Sequence, residues 1–166
     1  MSLPPLSTLH RMAHSTATGG IGGRIFGIGV DLAMISRLDG VHRRHGDHFL
    51  KKCLSPTEHA ATKTMSKERL ATFIASRWAV KEALVKASGQ RLLFPHISIV
   101  REVKKKLSEP GTASTMASAP ADPRARVELS GPVAEWFSKN RLRTPQVSLS
   151  HDGDYAIAFV CIEHEE

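Results

Sequence analysis

The sequence predicts an α+β fold with an antiparallel sheet, a long central helix and further helices packed on it. Three observations carry that prediction. A hairpin pattern closes the chain: Val147-Ser148-Leu149-Ser150 and Tyr155-Ala156-Ile157-Ala158-Phe159-Val160 flank His151-Asp152-Gly153-Asp154, whose Asp-Gly is a turn signal. A long helix is marked by Ser66 as its cap, by Phe73, Val80, Leu84 and Ala87 on one face, and by Gly89 as its stop. The elements run strand, three helices, then strands and a helix, an order that does not alternate as a parallel sheet requires.

Taken in order, Met1 to Gly23 reads as a tail ending in a flexible Gly-Gly-Ile-Gly-Gly hinge. Residues 24–166 then form one domain. Arg24 to Leu32 is a short buried strand ending at Asp31. Its Gly27 and Gly29 do not make a dinucleotide fingerprint, because the third glycine would fall at Leu32. A helix follows from Ala33 to about Val41, then the basic stretch His42-Arg43-Arg44-His45. Ser55-Pro56-Thr57-Glu58 opens the next helix, with Ser55 as N-cap, Pro56 in the first turn and Glu58 completing a capping box. Ile97 to Val100 alternates as a strand. Lys104 to Arg124 is polar, small and proline-containing, an insertion loop. Arg126 to Leu129 is a further strand, and Ser130-Gly131-Pro132 opens a helix running to about Asn140.

The composition bounds the function. With 166 residues, 41% of them hydrophobic, the chain suits one soluble domain with its own core. Twenty-three Lys and Arg against sixteen Asp and Glu give +7, which implies an acidic partner: nucleic acid, a phosphorylated ligand or an acidic protein. Aromatics at 5% weaken a base-stacking surface. Cys53 and Cys161 stand apart and form no paired-cysteine motif, so they read as buried free thiols. No apolar run reaches membrane-spanning length. The first thirty residues lack Asp and Glu, which fits a mitochondrial transit peptide or an ordinary tail on a cytoplasmic protein. Localising a tagged chain with and without the residues before Gly22 separates the two.

The chemistry concentrates in Arg77-Trp78-Ala79-Val80-Lys81-Glu82-Ala83-Leu84-Val85-Lys86-Ala87. On a helix Arg77 and Lys81 share one face, and Glu82 and Lys86 share the neighbouring one. One carboxylate therefore sits among three cations, an order that suits a carboxylate-held metal meeting a phosphate. By themselves these four residues read rather as an exposed Glu–Lys pair. Asp31 is either a metal ligand or the N-cap of the following helix. His151 is either a phosphate donor or acid/base group, or a turn residue. Asp31 and Glu82 together could share one hard cation such as Mg²⁺.

Three segments in order resemble the signatures of the 4'-phosphopantetheinyl transferases: Gly27-Ile28-Gly29-Val30-Asp31-Leu32, the helix from Arg77 to Ala87, and Ser148-Leu149-Ser150-His151-Asp152. The likeness is to the small holo-acyl-carrier-protein synthase branch and spans Gly27 to Glu163. The resemblance implies transfer of the phosphopantetheine arm of coenzyme A to a serine of an apo carrier protein, releasing adenosine 3',5'-bisphosphate. By the match Asp31 and Glu82 would bind Mg²⁺. Glu82, directly or through a metal-bound water, would aid deprotonation of the carrier serine. Lys86 would stabilise charge on the transferred phosphate and the leaving group. Arg77, Lys81 and His151 would hold the phosphates of coenzyme A, with His151 counted among the catalytic residues. Arg37 falls where the family places a carrier-binding arginine, Arg43 and Arg44 would extend that surface, and Phe49 would add an apolar anchor. The same likeness implies an acidic, fatty-acid-type acyl carrier protein as partner and a homotrimer with coenzyme A between subunits. The tail and the 104–124 insertion depart from the shorter family core.

The rival reading is a basic module without catalysis, binding nucleic acid through His42–Lys52 and Lys104–Lys106, or binding carriers only. The low aromatic content and the lack of a nucleic-acid-binding motif stand against the first. The presence of Asp31, Glu82 and Lys86 stands against the second. Neither nucleic acid nor membrane is an expected partner.

Overall fold

The computed structural model describes residues 24–101 and 124–166. The expected tail over 1–23 and nearly all of the expected insertion over 104–124 lie outside them. The described elements are β1 (Ile25–Met34), α1 (Ile35–Cys53), α2 (Pro56–Thr62), α3 (Lys67–Ser88), a 3₁₀ turn (Phe94–His96), β2 (Ile97–Arg101), β3 (Ala125–Leu129), α4 (Gly131–Lys139), β4 (Gln146–Asp152) and β5 (Tyr155–Glu163). The α+β class holds. The strands form two antiparallel sheets rather than one, ordered β1-β5-β4 and β2-β3. Among the described residues no helix is long and apolar enough to cross a membrane.

Helix α3 is the centre. Ile74, Ala75, Ala79, Val80, Ala83 and Leu84 are fully buried along it. One side lies on the inner face of the β1-β5-β4 sheet, and α1 packs elsewhere along its length. The start and stop of α3 follow the local signals: Ser66 accepts from the Arg69 N–H, and Gly89 closes the helix at φ +64°. Ser55 and Glu58 likewise form the capping box of α2, each side chain bonding the other's backbone N–H.

Gly27 and Gly29 have a packing role. A Cβ on Gly27 would stand 2.0 Å from the Ala87 carbonyl oxygen, and one on Gly29 would stand 2.0 Å from that of Ala83. The alternation Gly-x-Gly on β1 thus meets alanines spaced by four on α3, and the backbones touch. Gly29→Ala must push helix from strand. It is expected to cost more than about 3 kcal/mol, the upper end for overpacking, measured as a lowered urea midpoint.

Two boundaries differ from expectation. β1 continues to Met34, so Asp31 sits inside a strand paired with Ala158 and does not cap α1. Helix α1 runs on to Cys53, with a break at Gly46 (φ 54°, ψ −140°), so the basic stretch 42–45 is helical. Leu38, Leu50 and Cys53 bury its apolar side, which outweighs the polar run between them.

Candidate functional site

The strand–helix contact sets the first cluster. On β1, residues 27, 29, 31 and 33 face α3, so Asp31 points toward the helix rather than away from it. Lys86 reaches across: its Nζ donates to Asp31 Oδ1 at 2.7 Å and to the Val30 carbonyl at 3.0 Å. Glu82, one turn before Lys86, completes the group. Burial raises the Glu82 pKa above the usual carboxylate range, and the Asp31 charge raises it further, while Lys86 and Arg37 pull it back down. Glu82 therefore feels three other sequence-predicted residues: Asp31 on β1, Arg37 on α1 and Lys86 on its own helix.

The resident charge pattern fits a divalent cation. The charge of Asp31 disfavours ionisation of Glu82, and Lys86 is ion-paired with Asp31. Mg²⁺ needs only one or two protein carboxylates and takes its other oxygens from water and substrate phosphate. Among the described residues there is no group of three or more potential metal ligands, so a closed protein cage is absent from them.

Lys81 stands elsewhere. Its side chain is fully buried, and its Nζ donates to Glu58 Oε2 at 2.6 Å, to the Cys53 carbonyl at 2.8 Å and to the Phe94 carbonyl at 3.1 Å. All three ammonium donors are used. The expectation that Lys81 holds a phosphate is corrected: it joins the end of α1, the cap of α2 and the 3₁₀ turn. Burial lowers its pKa, against the upward pull of the Glu58 carboxylate.

Arg77 is also committed inward. Its Nε lies 3.6 Å from Glu58 Oε1, one Nη donates to the Ile99 carbonyl at 3.3 Å, and the guanidinium stacks over Phe73 at 3.9 Å. It nevertheless lines a groove of about 370 Å³ between α3 and β4, together with Arg69, Thr72, Ser76 and His151. Arg69, Thr72 and Ser76 are spaced three and four apart, a polar helix face visible in the sequence but not singled out there.

His151 lies in β4 rather than in the turn, opposite Ala156, which in turn pairs with Ala33. Strand β5 therefore separates it from β1, and two interstrand gaps put it on the order of 10 Å from the Asp31 side. One chain thus carries two separate polar clusters: the carboxylates with Lys86 and Arg37, and the groove of Arg77 and His151.

The residues expected to face a carrier lie in different surroundings. Arg44 is exposed on α1, while Arg43 is exposed and paired with Asp39 at 2.5 Å. Phe49 is not an exposed anchor: it is half-buried and packs on Trp78, ring centroids 5.9 Å apart.

A family model described as the 4'-phosphopantetheinyl transferase superfamily matches residues 27–160. The chain is 34% identical over 144 residues to a holo-[acyl-carrier-protein] synthase of Ralstonia nicotianae, covering 85% of this chain and 94% of the relative. Its fold is similar to that of the holo-ACP-synthase of Plasmodium yoelii, with TM-score 0.70, 23% identity, and coverage of 87% and 99% of the two chains. It is also similar to the Helicobacter pylori holo-[acyl-carrier-protein] synthase solved in complex with coenzyme A, with TM-score 0.58, 27% identity, and coverage of 81% and 98%.

Proposed function

Because the chain belongs to the 4'-phosphopantetheinyl transferase superfamily, we propose that it is a holo-acyl-carrier-protein synthase, moving the phosphopantetheine arm of coenzyme A to a serine of an apo acyl carrier protein. One juxtaposition carries this reading at the level of residues. Asp31, Glu82 and Lys86 meet on one rim, with the cationic Arg37 beside them.

In the reaction the serine Oγ bonds to the phosphorus that bears the pantetheine arm. The bond from that phosphorus to the bridging oxygen breaks, and adenosine 3',5'-bisphosphate leaves with the electron pair. The serine proton passes to Glu82, the carboxylate one turn from Lys86 on α3. Lys86 presents its ammonium to the phosphate oxygens as charge shifts to the leaving group. Asp31 and Glu82 would hold Mg²⁺, which when bound supplies positive charge to the pyrophosphate oxygens. Arg37 and Arg44 offer positive charge to an acidic carrier.

The active unit is a homotrimer. Val30, Leu32 and Met34 on β1 pair with Phe159, Ile157 and Tyr155 on β5, forming an apolar sheet face whose members are 37% to 57% exposed. A continuous apolar face of this kind supports burial against another copy. Such packing would let the Arg77–His151 groove of one copy serve the carboxylate rim of the next. Sedimentation equilibrium should give three copies, and Phe159→Asp should give monomers with little activity. A fully active monomeric wild type would refute the assembly.

The activity is tested by incubating the protein with coenzyme A, Mg²⁺ and apo carrier protein and weighing the carrier by mass spectrometry. Gain of one phosphopantetheine is expected. No gain across fatty-acid, polyketide and peptide-synthetase carriers would overturn the reading.

A further inference from the structure

Helix α1 begins without a cap of its own. Its N-cap position is Met34, whose side chain makes no capping bond, and its first turn holds no acidic residue. The first N–H groups of a helix have no partner within it and attract negative charge. Here one residue 118 positions away supplies both. Asp154 accepts the Ile35 N–H on its backbone carbonyl at 2.8 Å. It accepts the Ser36 N–H on Oδ1 at 2.8 Å and the Ser36 hydroxyl on Oδ2 at 2.5 Å.

Asp154 can do this because of its turn. Asp152 and Tyr155 are paired across the β4–β5 hairpin, leaving Gly153 and Asp154 as a two-residue loop. Gly153 takes the positive φ of +52°, so Asp154 is left to turn its backbone carbonyl and its carboxylate to α1. The residue following Ser36 is Arg37, whose charge reaches Glu82.

We propose that Asp154 is a positioning residue: it clamps the first turn of α1 to the hairpin and thereby holds Arg37 at the rim, oriented for an acidic carrier protein. This rests on the transferase reading above. The hydrogen bonds of the clamp fall on the residues just before Arg37, so its main effect is expected on carrier binding rather than on coenzyme A.

The experiment measures steady-state kinetics in both substrates and, separately, equilibrium binding of fluorescently labelled apo carrier. Asp154→Ala should raise the KM and Kd for the carrier about tenfold, leaving kcat at saturating carrier and the KM for coenzyme A within about twofold. Asp154→Asn keeps an oxygen for the Ser36 N–H and should recover most of the loss. Should the alanine variant fold poorly, Ser36→Ala removes only the hydroxyl bond and should raise the carrier Kd two- to threefold. In an Arg37→Ala background Asp154→Ala should add nothing. A lowered melting temperature with unchanged carrier Kd would reduce Asp154 to a structural cap and overturn the proposal. A rise confined to the KM for coenzyme A would place its effect on His151 and overturn it too. Carrier binding that falls in the variant while wild type shows no turnover would sink the transferase reading alone.

Discussion

Glu82→Gln is expected to lower phosphopantetheine transfer about a thousandfold, within the range that general acid–base groups contribute. The variant is expected to remain at least as stable as the wild type. That second half follows from the sign of the pKa shift. Burial and the charge of Asp31 raise the folded-state pKa of Glu82, so its ionised form is disfavoured by the fold. Such a group stabilises fully below its unfolded pKa, and that stabilisation is lost as pH rises through the folded value. At neutral pH the wild type carries the penalty, whereas a neutral glutamine does not. In the assay kcat/KM of the wild type should fall as acid protonates Glu82, and the variant should lack that limb. A folded Glu82→Gln enzyme with near-normal turnover would remove Glu82 from the chemistry. Thermal melts and a pH–rate profile on the same preparations decide the matter.

What could be read from the chain was what is local. The α2 capping box needs only Ser55 and Glu58 three positions apart, and the terminal hairpin needs only alternation around Asp-Gly. Helix α1 was cut short because its length depends on Leu50 and Cys53 docking beyond a polar run, with Gly46 absorbing the break. The reason for Gly27 and Gly29 was hidden, since the atoms they make room for lie on α3, more than fifty residues on. Asp31 and Lys86 face each other only because that close approach exists. Lys81 misled for a related reason. Helical spacing sorts residues onto faces, but α3 is buried on most of its faces, so spacing could not tell a phosphate-facing cation from an interior one. Its partner Glu58 lies 23 positions earlier, where its spacing from Ser55 signals only a helix cap.

That shared role of Glu58 makes Lys81→Met the substitution expected to damage the fold most. Glu58 is buried, and each of its oxygens is used twice. Oε2 accepts from the Ser55 N–H at 3.0 Å and from Lys81, while Oε1 accepts from the Ile99 N–H at 2.9 Å and faces Arg77 Nε at 3.6 Å. Removing the ammonium leaves this carboxylate without its nearest counter-charge and strips the Cys53 and Phe94 carbonyls of a donor. Breaking a buried pair from one side costs about 3–5 kcal/mol, which for a chain of this size lowers the melting temperature by roughly 10 °C. Lys81→Arg should fail as well, because a planar fork does not reproduce three donors radiating from one point. Exchanging both members of a buried ion pair for neutral groups is often harmless, but not here. In Lys81→Met/Glu58→Gln the glutamine keeps one accepting oxygen for two backbone N–H groups, those of Ser55 and Ile99, so the α2 cap or the middle of β2 is left unpaired. The double variant should therefore recover only part of the lost stability in urea titrations. Full recovery would mean that the ion pair, and not the backbone it organises, is what α3 requires from Glu58.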